Sequence, residues 1–425
     1  MDFETAFRAL QETDSICYRG KVKNIVGMMI EATGMDAKVG DICTMEDQRG
    51  GRKISAEVVG FRDGNLLLMA YGDIKGIGLG SVIENKNRKL QIPVGDFLIG
   101  RTIDSRGCPI DGGEPFENPD YCNVDAGYTN PLERPRILEP LCYGIKAIDG
   151  MLTIGKGQRM GIFAGSGVGK STLMGMIARN VKTDVNVIAL VGERGREVKE
   201  FIEKDLGEEG LKRSVLVVAT SDQPAMFRVK CAAAATTIAE YFRDQGKDVL
   251  LMMDSLTRFA MAQREVGLAA GEPPIARGYT PSIYAELPKL LERSGNFKKG
   301  SITGIYTVLV EGDDTNEPIS DTVRSILDGH IVLSRSLAHK NHYPAIDINA
   351  SISRLMNDIV PEEHKKAASR IRDLLSVYEQ NADLISIGAY KPGMNHRLDE
   401  AVKKIDSVNS FLMQPVGDSF SMEDT

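Results

Sequence analysis

A glycine-rich segment that ends in lysine and serine is the stretch best suited to chemistry. Residues 159–173 read R-M-G-I-F-A-G-S-G-V-G-K-S-T-L, an apolar run that leads into a loop and then a helical pattern. The glycines let the loop turn its N–H groups inward, Lys170 can reach the β- and γ-phosphates of a nucleotide, and the Ser171 hydroxyl suits Mg²⁺. Ala164 stands where the strict motif has glycine, so the match is to the relaxed form. The predicted phosphate-binding residues are Gly165, Ser166, Gly167, Val168, Gly169, Lys170, Ser171 and Thr172.

An aspartate at the end of a second apolar run supports this site. The run D-V-L-L-M-M-D spans residues 248–254 and ends in Asp254, about eighty residues after the loop. Enzymes with a phosphate-binding loop use such an aspartate to hold the Mg²⁺ shell, through water, beside the loop serine. Many buried strands end in aspartate, so the prediction depends on the loop that precedes this one.

Two charged residues end a third apolar run and could complete a hydrolytic site. The segment V-I-A-L-V-G-E-R-G-R-E-V places Glu193 and Arg194 at the end of this run. Ligands gather at the carboxyl edge of a parallel sheet, where Glu193 could polarise water and Arg194 could meet phosphate. A solvated ion pair at a strand end is the alternative, and spacing alone does not separate the two.

These residues need a parallel sheet to bring them together, and the chain between 141 and about 360 has the pattern of one. Apolar strands such as R-M-G-I-F-A, V-N-V-I-A-L-V and S-V-L-V-V-A-T alternate with helical patterns. Continuously apolar strands separated by helices are typical of a sheet covered on both faces. We therefore predict an α/β nucleotide-binding domain over residues 96–360, with an ordered connection at its start.

The segments on either side of this domain have different residue patterns. Short β-rich runs separated by turn residues predict a small β-barrel over residues 19–95. Residues 1–18 have the apolar spacing of an amphipathic helix, which is either a docking helix for a partner or a terminal helix that packs on its own domain. Residues 361–425 are polar and helical in pattern and predict a C-terminal helical domain.

Composition limits the classes of function. A hydrophobic fraction of 42%, a charged fraction of 26% and a net charge of −7 match a soluble globular protein and do not favour nucleic acid as the main partner. The six cysteines lack the spacing of a zinc site or a disulfide framework, which predicts reduced thiols. The first residues lack a signal-peptide pattern, and no apolar run reaches the ~18 residues of a membrane span.

Five segments resemble, in the same order, the rotary ATP synthase α/β subunit family. They are A-G-S-G-V-G-K-S-T, V-G-E-R-G-R-E-V, D-S-L-T-R-F-A-M-A-Q-R-E, G-E-P-P-I-A-R-G-Y-T-P-S and Y-P-A-I-D-I-N-A-S-I-S-R. Residues 344–353 match the signature decapeptide of this family throughout. Within the family, S-I-Y-A-E-L-P-K-L-L-E-R-S-G and D-L-I-S-I-G-A-Y-K-P-G look most like the ATPases of type III protein export, and like the flagellar branch most of all.

The resemblance implies roles for residues at matching positions. Lys170 and Ser171 would contact the phosphates of ATP and Mg²⁺, and Asp254 would hold the metal shell. Glu193 would be the catalytic carboxylate that activates water. These residues match a site that hydrolyses MgATP to ADP and phosphate.

Four further positions take roles from the same resemblance. Arg194 and Arg258 match positions near the γ-phosphate, and Tyr343 matches an aromatic residue that stacks on adenine. Arg354 matches an arginine finger, which in this family reaches the nucleotide site of the adjacent subunit. Read alone, an arginine at a strand end more often has a structural role.

The family also implies an architecture and partners. The expected fold is a RecA-like P-loop core between an N-terminal β-barrel and a C-terminal helical domain, assembled as a homohexameric ring. Residues 271–281 resemble the segment that faces a central stalk in the ring pore, and the N-terminal helix corresponds to the docking site of a stator-like regulator. The resemblance further implies a cytoplasmic enzyme, peripherally associated with the membrane proteins of an export gate, that receives export substrates and chaperones.

Three alternatives accompany the flagellar export ATPase. The first is the injectisome (virulence) homologue, which the sequence does not separate well. The second is a non-catalytic ring subunit that binds nucleotide for structure, and Glu193 disfavours it because such subunits replace this carboxylate. The third is a hexameric RNA translocase, which the acidic charge and the aromatic-poor barrel disfavour.

Overall fold

The computed structural model describes residues 17–46, 51–125, 130–310, 317–393 and 395–425, except for the side chain of Lys86. Of the amphipathic helix predicted over residues 1–18, residues 1–16 lie outside the described part of the chain. Tyr18 already begins the first strand. In the described part of the chain, no helix combines the length and apolar character needed to cross a membrane.

Six antiparallel strands close into a barrel at the N-terminal end of the described chain. Along the barrel the strand order is β1-β2-β5-β4-β3-β6. Alternate residues of β3 point inward, where Cys43 and Met45 are fully buried, as expected for strands with one face on a core and one toward solvent. The strands are β1 (Tyr18–Val26), β2 (Met29–Thr33), β3 (Asp41–Glu46), β4 (Lys53–Arg62), β5 (Asn65–Ala70) and β6 (Val82–Lys89).

A second, mostly parallel sheet forms the centre of the molecule. A small ribbon of β7 (Gln91–Val94) and β9 (Asp120–Asn123) connects it to the barrel. The order of its main strands is β17-β16-β10-β15-β13-β11-β12-β8, and β14 pairs with β15. These strands are β8 (Thr102–Asp104), β10 (Arg159–Ala164), β11 (Val185–Glu193), β12 (Ser214–Thr220), β13 (Asp248–Asp254), β14 (Gly295–Asn296), β15 (Ser301–Leu309), β16 (Gly329–Leu333) and β17 (Ile346–Ser353).

Helices cover both faces of this sheet, which is why its strands are continuously apolar. On one face β11 packs on the 20-residue helix Ala225–Asp244, and on the other face on the helix that follows the glycine-rich loop. The helices are α1 (Lys146–Asp149), α2 (Lys170–Asn180), α3 (Gly195–Glu200), α4 (Gly207–Leu211), α5 (Ala225–Asp244), α6 (Leu256–Ala270), α7 (Pro281–Leu291), α8 (Pro318–Ile326) and α9 (Arg335–His339).

The predicted fold class is confirmed, including the helical C-terminal region. That region contains α10 (Met356–Ile359), α11 (Glu362–Gln380), α12 (Ala382–Ser386) and α13 (His396–Leu412). Helices α11 and α13 pack together, and Leu374, Ala401 and Ile405 join the core beneath the central sheet. After α13 the chain returns to the nucleotide-binding domain, where the Phe420 N–H donates to the Gly144 carbonyl.

An ion pair joins the barrel to the central domain. Glu57 on β4 accepts from Lys230 on α5 at 2.8 Å and from the Tyr71 hydroxyl, and little of either charged side chain is exposed. The Tyr71 ring meets Phe227 edge to face at 5.9 Å between centroids. Burial and the Glu57 carboxylate together raise the pKa of Tyr71. The two domains thus share an apolar contact with a charged pair inside it.

Candidate active site

The glycine-rich loop leaves the end of β10 and enters α2, as the sequence pattern predicts. Gly167 and Gly169 have φ angles of 78° and 88°, a region where side chains with a Cβ are strained. Val168 is buried and anchors the loop, whereas Ser166 and Gly167 are exposed. Lys170 is the first residue of α2, so the positive end of the helix dipole faces the loop.

Lys170 lies between two carboxylates that come from different strands. Its Nζ donates to Asp254 Oδ1 at 2.5 Å and lies 3.7 Å from Glu193 Oε1. Asp254 Oδ1 also accepts from the Thr307 hydroxyl on β15 at 2.6 Å. Burial alone would lower the pKa of Lys170, but the two carboxylates outweigh it and raise that pKa. The lysine is therefore a fixed cation at the carboxyl edge of the sheet.

Glu193 is the carboxylate with spare hydrogen-bonding capacity. Its Oε1 atom is buried and accepts no hydrogen bond from any described residue. Burial and then Asp254 raise the pKa of Glu193 to about 7, although Lys170 opposes them. Glu197, one turn further along the chain, shares a hydrogen bond with Glu193, and this bond lowers the pKa of Glu197. The two carboxyl groups therefore influence each other, and Glu193 is the weaker acid of the two.

The two arginines that the resemblance places near the γ-phosphate differ in environment. Arg194 is 76% exposed and lies 3.6 Å from Glu197. Arg258 on α6 packs on the strand end, because an ideal Cβ at Gly192 would lie 3.0 Å from its Cβ. The Arg258 Nε is buried and makes no hydrogen bond within the described chain. Arg194 thus follows Glu193 in the chain, and Arg258 packs on Gly192, the residue before Glu193.

Tyr343 lies beside the glycine-rich loop, at the edge of an apolar cavity of about 250 Å³. An ideal Cβ on Gly169 would be 3.5 Å from the Tyr343 ring. Leu173 and Met176 of α2 form one wall, and the C-terminal segment at 414–416 forms another. The Gln414 N–H donates to the Tyr343 carbonyl at 3.0 Å, which holds the C-terminal wall against Tyr343.

Arg354 is the one predicted site residue that lies far from this group. Strand β17 runs antiparallel to β16, with Ile346 opposite Leu333 and Ser353 opposite Gly329. Because β16 is parallel to β10, the start of β17 lies at the loop edge of the sheet and its end at the opposite edge. Eight residues of strand separate the two ends by about 25 Å. The exposed Arg354 cannot reach the loop of its own chain.

The sequence did not indicate three residues that contact the predicted ones. Glu197 pairs with Glu193, Thr307 donates to Asp254, and Gln414 holds the Tyr343 backbone. The contact between Glu193 and Glu197 had no periodic signal, because Glu193 ends strand β11 and Glu197 lies in the first turn of α3. Thr307 and Gln414 come from distant parts of the chain, and only the sheet order and the return of the C-terminal segment bring them here.

The fold and the site define a P-loop nucleotide-binding protein, and comparison with known proteins gives its family. The model of the ATP synthase alpha/beta family nucleotide-binding domain matches residues 144–353, and that of the family's β-barrel domain matches residues 22–87. The T3SS EscN ATPase C-terminal domain matches residues 360–425. The chain belongs to the ATP synthase alpha/beta family.

Individual relatives match along nearly their whole length. The "Flagellum-specific ATP synthase" of Bacillus subtilis is 53% identical, over 100% of this chain and 97% of the relative. The "Type 3 secretion system ATPase" of Xanthomonas euvesicatoria is 50% identical, over 96% and 92%. The solved structure of the assembled ATPase EscN from the enteropathogenic E. coli type III secretion system has a TM-score of 0.90 and 47% identity, over 95% of this chain and 97% of that one.

Proposed function

We propose that this chain is the ATPase of flagellar type III protein export and that it works as a homohexameric ring. The relatives named flagellum-specific ATP synthase support the flagellar part of this proposal, and the division of the site within one chain carries the homohexameric part. The phosphate loop, Glu193 and Asp254 meet at one edge of the sheet, whereas Arg354 lies at the other. One chain therefore has both halves of an interface site, and identical copies suffice to complete it.

The donor groups at the site fit MgATP. Ser171 is exposed at the start of α2, next to Lys170, and the Nζ atom of Lys170 contacts the Asp254 carboxylate. These two residues would hold Mg²⁺, Asp254 through water. When bound, the ion would neutralise charge on the phosphate oxygens. The buried Arg258 Nε, without a hydrogen-bond partner in the described chain, is a further group able to bind phosphate.

The residues of the chain have separate tasks in hydrolysis. The N–H groups of Gly165 to Thr172 surround the phosphates, and Lys170 exchanges its contact with Asp254 for one with the transferred phosphoryl group. Glu193, as the carboxylate, orients and deprotonates the attacking water. Tyr343 stacks on adenine, and the apolar cavity beside it receives the base.

Arg354 acts on the neighbouring subunit in this proposal. An arginine that reaches the transferred phosphoryl group stabilises the charge of the transition state and contributes about 10³-fold or more to turnover. Arg194 is exposed at the mouth of the site and would contact the γ-phosphate side of the nucleotide. Hydrolysis therefore requires a ring interface rather than a single chain.

We also assign partners and domains on the strength of the family. Residues 271–281 would face a central stalk in the ring pore, and EscN provides a parallel, because one of its solved structures is a complex with its central stalk EscO. A stator-like regulator would bind the helix that the sequence predicts over residues 1–18, and the ring would meet the export gate, its substrates and their chaperones as a cytoplasmic, peripheral complex. The assigned domains are residues 1–18, 19–95, 96–360 and 361–425.

Substitutions at the site test the catalytic assignment. Purified protein should hydrolyse MgATP, and Lys170→Ala or Glu193→Gln should reduce turnover by at least about 10³-fold, since each removes a group that acts in the transition state. Turnover that survives either substitution would refute the site.

Mixing of subunits tests the assignment of Arg354. Glu193→Gln and Arg354→Ala proteins are each inactive in this proposal, but a mixed ring contains interfaces that pair an intact Glu193 with an intact Arg354. Recovery of hydrolysis in the mixture is expected. Stable mixed rings without recovery would contradict the role of Arg354 in trans.

The injectisome ATPase is the second candidate, since the Xanthomonas relative and EscN belong to type III secretion systems. Expression in a bacterium that lacks its own flagellar export ATPase separates the two. Restored motility supports the flagellar assignment, and restored secretion of virulence effectors in an injectisome mutant, without motility, supports the other.

A further inference from the structure

We propose that Gln158 and Ser353 are positioning residues that present Arg354 to the neighbouring subunit's nucleotide. This inference rests on the proposed role of Arg354 in trans and deepens it. Both residues lie at the edge of the sheet opposite the glycine-rich loop, where β10 begins and β17 ends. They join these two strands through side-chain hydrogen bonds.

Gln158 is fully buried, and each end of its amide has a partner. Its Nε2 donates to the Ser353 hydroxyl at 3.0 Å and to the Asp328 carbonyl at 3.2 Å, and its Oε1 accepts from the Gly155 N–H at 2.7 Å. The Ser353 hydroxyl in turn donates to the Thr153 carbonyl at 2.8 Å. Ser353 is the residue immediately before Arg354, so these bonds fix the backbone from which the arginine projects.

The Asp328 carbonyl connects this network directly to Arg354. It accepts from the Arg354 N–H at 3.0 Å as well as from Gln158. Arg159 holds the Asp328 carboxylate from three nitrogens, at 3.1 Å from N, 3.1 Å from Nε and 3.2 Å from Nη2. The loop that supports Arg354 is therefore clamped to the first residue of β10.

Close packing leaves the end of β17 little freedom to move. An ideal Cβ at Gly329 would lie 2.4 Å from the Ile352 carbonyl oxygen, so the two strands touch at the backbone. The guanidinium of Arg354 donates to the Arg324 carbonyl at 3.3 Å, at the end of α8. The exposed arginine thus has a defined direction, although its contacts within its own chain are few.

The same strand serves two sites in this arrangement. At its carboxyl end β10 leads into the loop that surrounds this subunit's own phosphates, and at its amino end Gln158 and Arg159 hold the arginine offered to the neighbour. The strand spans only six residues, and both its flanking strands are hydrogen-bonded to it. The position of the arginine is therefore set by the strand that also carries the phosphate loop.

Substitutions that remove the bonds but keep the volume test the role of these side chains. Gln158→Met should lower kcat by about 10²-fold, the effect of a misplacement of about 1 Å, with KM for MgATP unchanged because the variant's own binding groups are untouched. Ser353→Ala is the milder second variant, with an expected loss of about tenfold, should Gln158→Met fail to fold.

Ser351→Ala is the matched control. Ser351 lies two residues earlier on β17 and also uses its hydroxyl in two bonds, accepting from the Val332 N–H and donating to the Asp347 carbonyl. Its hydroxyl makes no hydrogen bond with Gln158 in the described structure. We expect kcat to stay at the wild-type value in this variant, and an equal loss in both serine variants would reduce Ser353 to a structural role.

Mixed rings distinguish a misplaced arginine from a damaged nucleotide site. Gln158→Met or Ser353→Ala subunits should regain hydrolysis when mixed with Glu193→Gln, which supplies a well-placed Arg354. They should remain slow when mixed with Arg354→Ala, because every interface then has a missing or misplaced arginine. The reverse pattern, recovery with Arg354→Ala but not with Glu193→Gln, would place the damage in the variant's own site and overturn the inference.

The parent mixture keeps this test separate from the proposed function. If Glu193→Gln and Arg354→Ala complement each other, Arg354 acts in trans, and the patterns of the Gln158 and Ser353 variants then decide the inference alone. If that parent mixture fails in stable mixed rings, the proposed function fails first and the inference with it.

Discussion

At the scale of single residues, Lys170 is the cation that links the two carboxylates of the candidate site. In the described structure its ammonium group neutralises Asp254 and lies near Glu193, so three charged groups share a small volume. A nucleotide phosphate competes for the same ammonium group and would draw Lys170 away from the carboxylates. Without that cation the negative charges of Asp254 and Glu193 repel each other, and Mg²⁺ would then offset the charge at Asp254. The protonation of Glu193 then depends on its burial and on its neighbours Asp254 and Glu197.

The pKa of Glu193 makes a prediction about pH dependence. A pKa raised to about 7 means that Glu193 is a neutral acid below this pH, and a neutral acid cannot accept a proton from water. In the free enzyme, kcat/KM should therefore rise with pH and level off above about 7, with a value at pH 6 about tenfold below the plateau. Steady-state kinetics from pH 5.5 to 8.5 measures this limb.

Glu197→Gln should move the limb to lower pH, because the substitution removes an ionised neighbour that raises the pKa of Glu193. Glu200→Gln is the control, since Glu200 lies at the end of the same helix and pairs with Arg196 instead. A limb that stays in place in Glu197→Gln, or that moves equally in the control, would contradict the assignment.

At the scale of elements, the sequence predicted the strands that apolar runs and motifs indicate. The strands before Ala164, Glu193 and Asp254 are continuous apolar runs, and their parallel pairing brings the three ends together. The distance of Arg354 from its own site could not be predicted, because it depends on the antiparallel pairing of β17 at the sheet edge. The wall formed by Gln414 depends on a chain return that leaves no periodic signal.

The sequence did not predict the contact between the barrel and the central domain either. This contact leads to a prediction about stability. Lys230→Met would leave the Glu57 carboxylate buried with Tyr71 as its remaining partner in the described structure, at a cost of about 3 kcal/mol in the free energy of unfolding. The double variant with Glu57→Gln should recover much of this loss, because no charge then remains buried. Urea unfolding followed by circular dichroism measures both.

Lys212→Met is the control for that experiment. Lys212 pairs with Glu209 on an exposed surface, so its substitution should not change the unfolding midpoint. If Lys230→Met behaves like this control, Lys230 and Glu57 do not stabilise the domain contact.

At the scale of the whole molecule, a site divided between two edges of one sheet makes activity depend on assembly. A subunit alone keeps the phosphate loop, the Tyr343 cavity and Glu193, but Arg354 is about 25 Å away along β17. Dilution should therefore lower ATP hydrolysis per subunit by about 10³-fold once rings dissociate, whereas the affinity of each subunit for nucleotide changes little. Hydrolysis and light scattering, measured over the same concentration series, should fall together.

Arg354→Ala should remain slow at every concentration, which separates loss of the arginine from loss of the ring. Full activity per subunit in a preparation that scatters as monomer would mean that one chain completes its own site, and the opposite-edge placement of Arg354 would then have no part in catalysis.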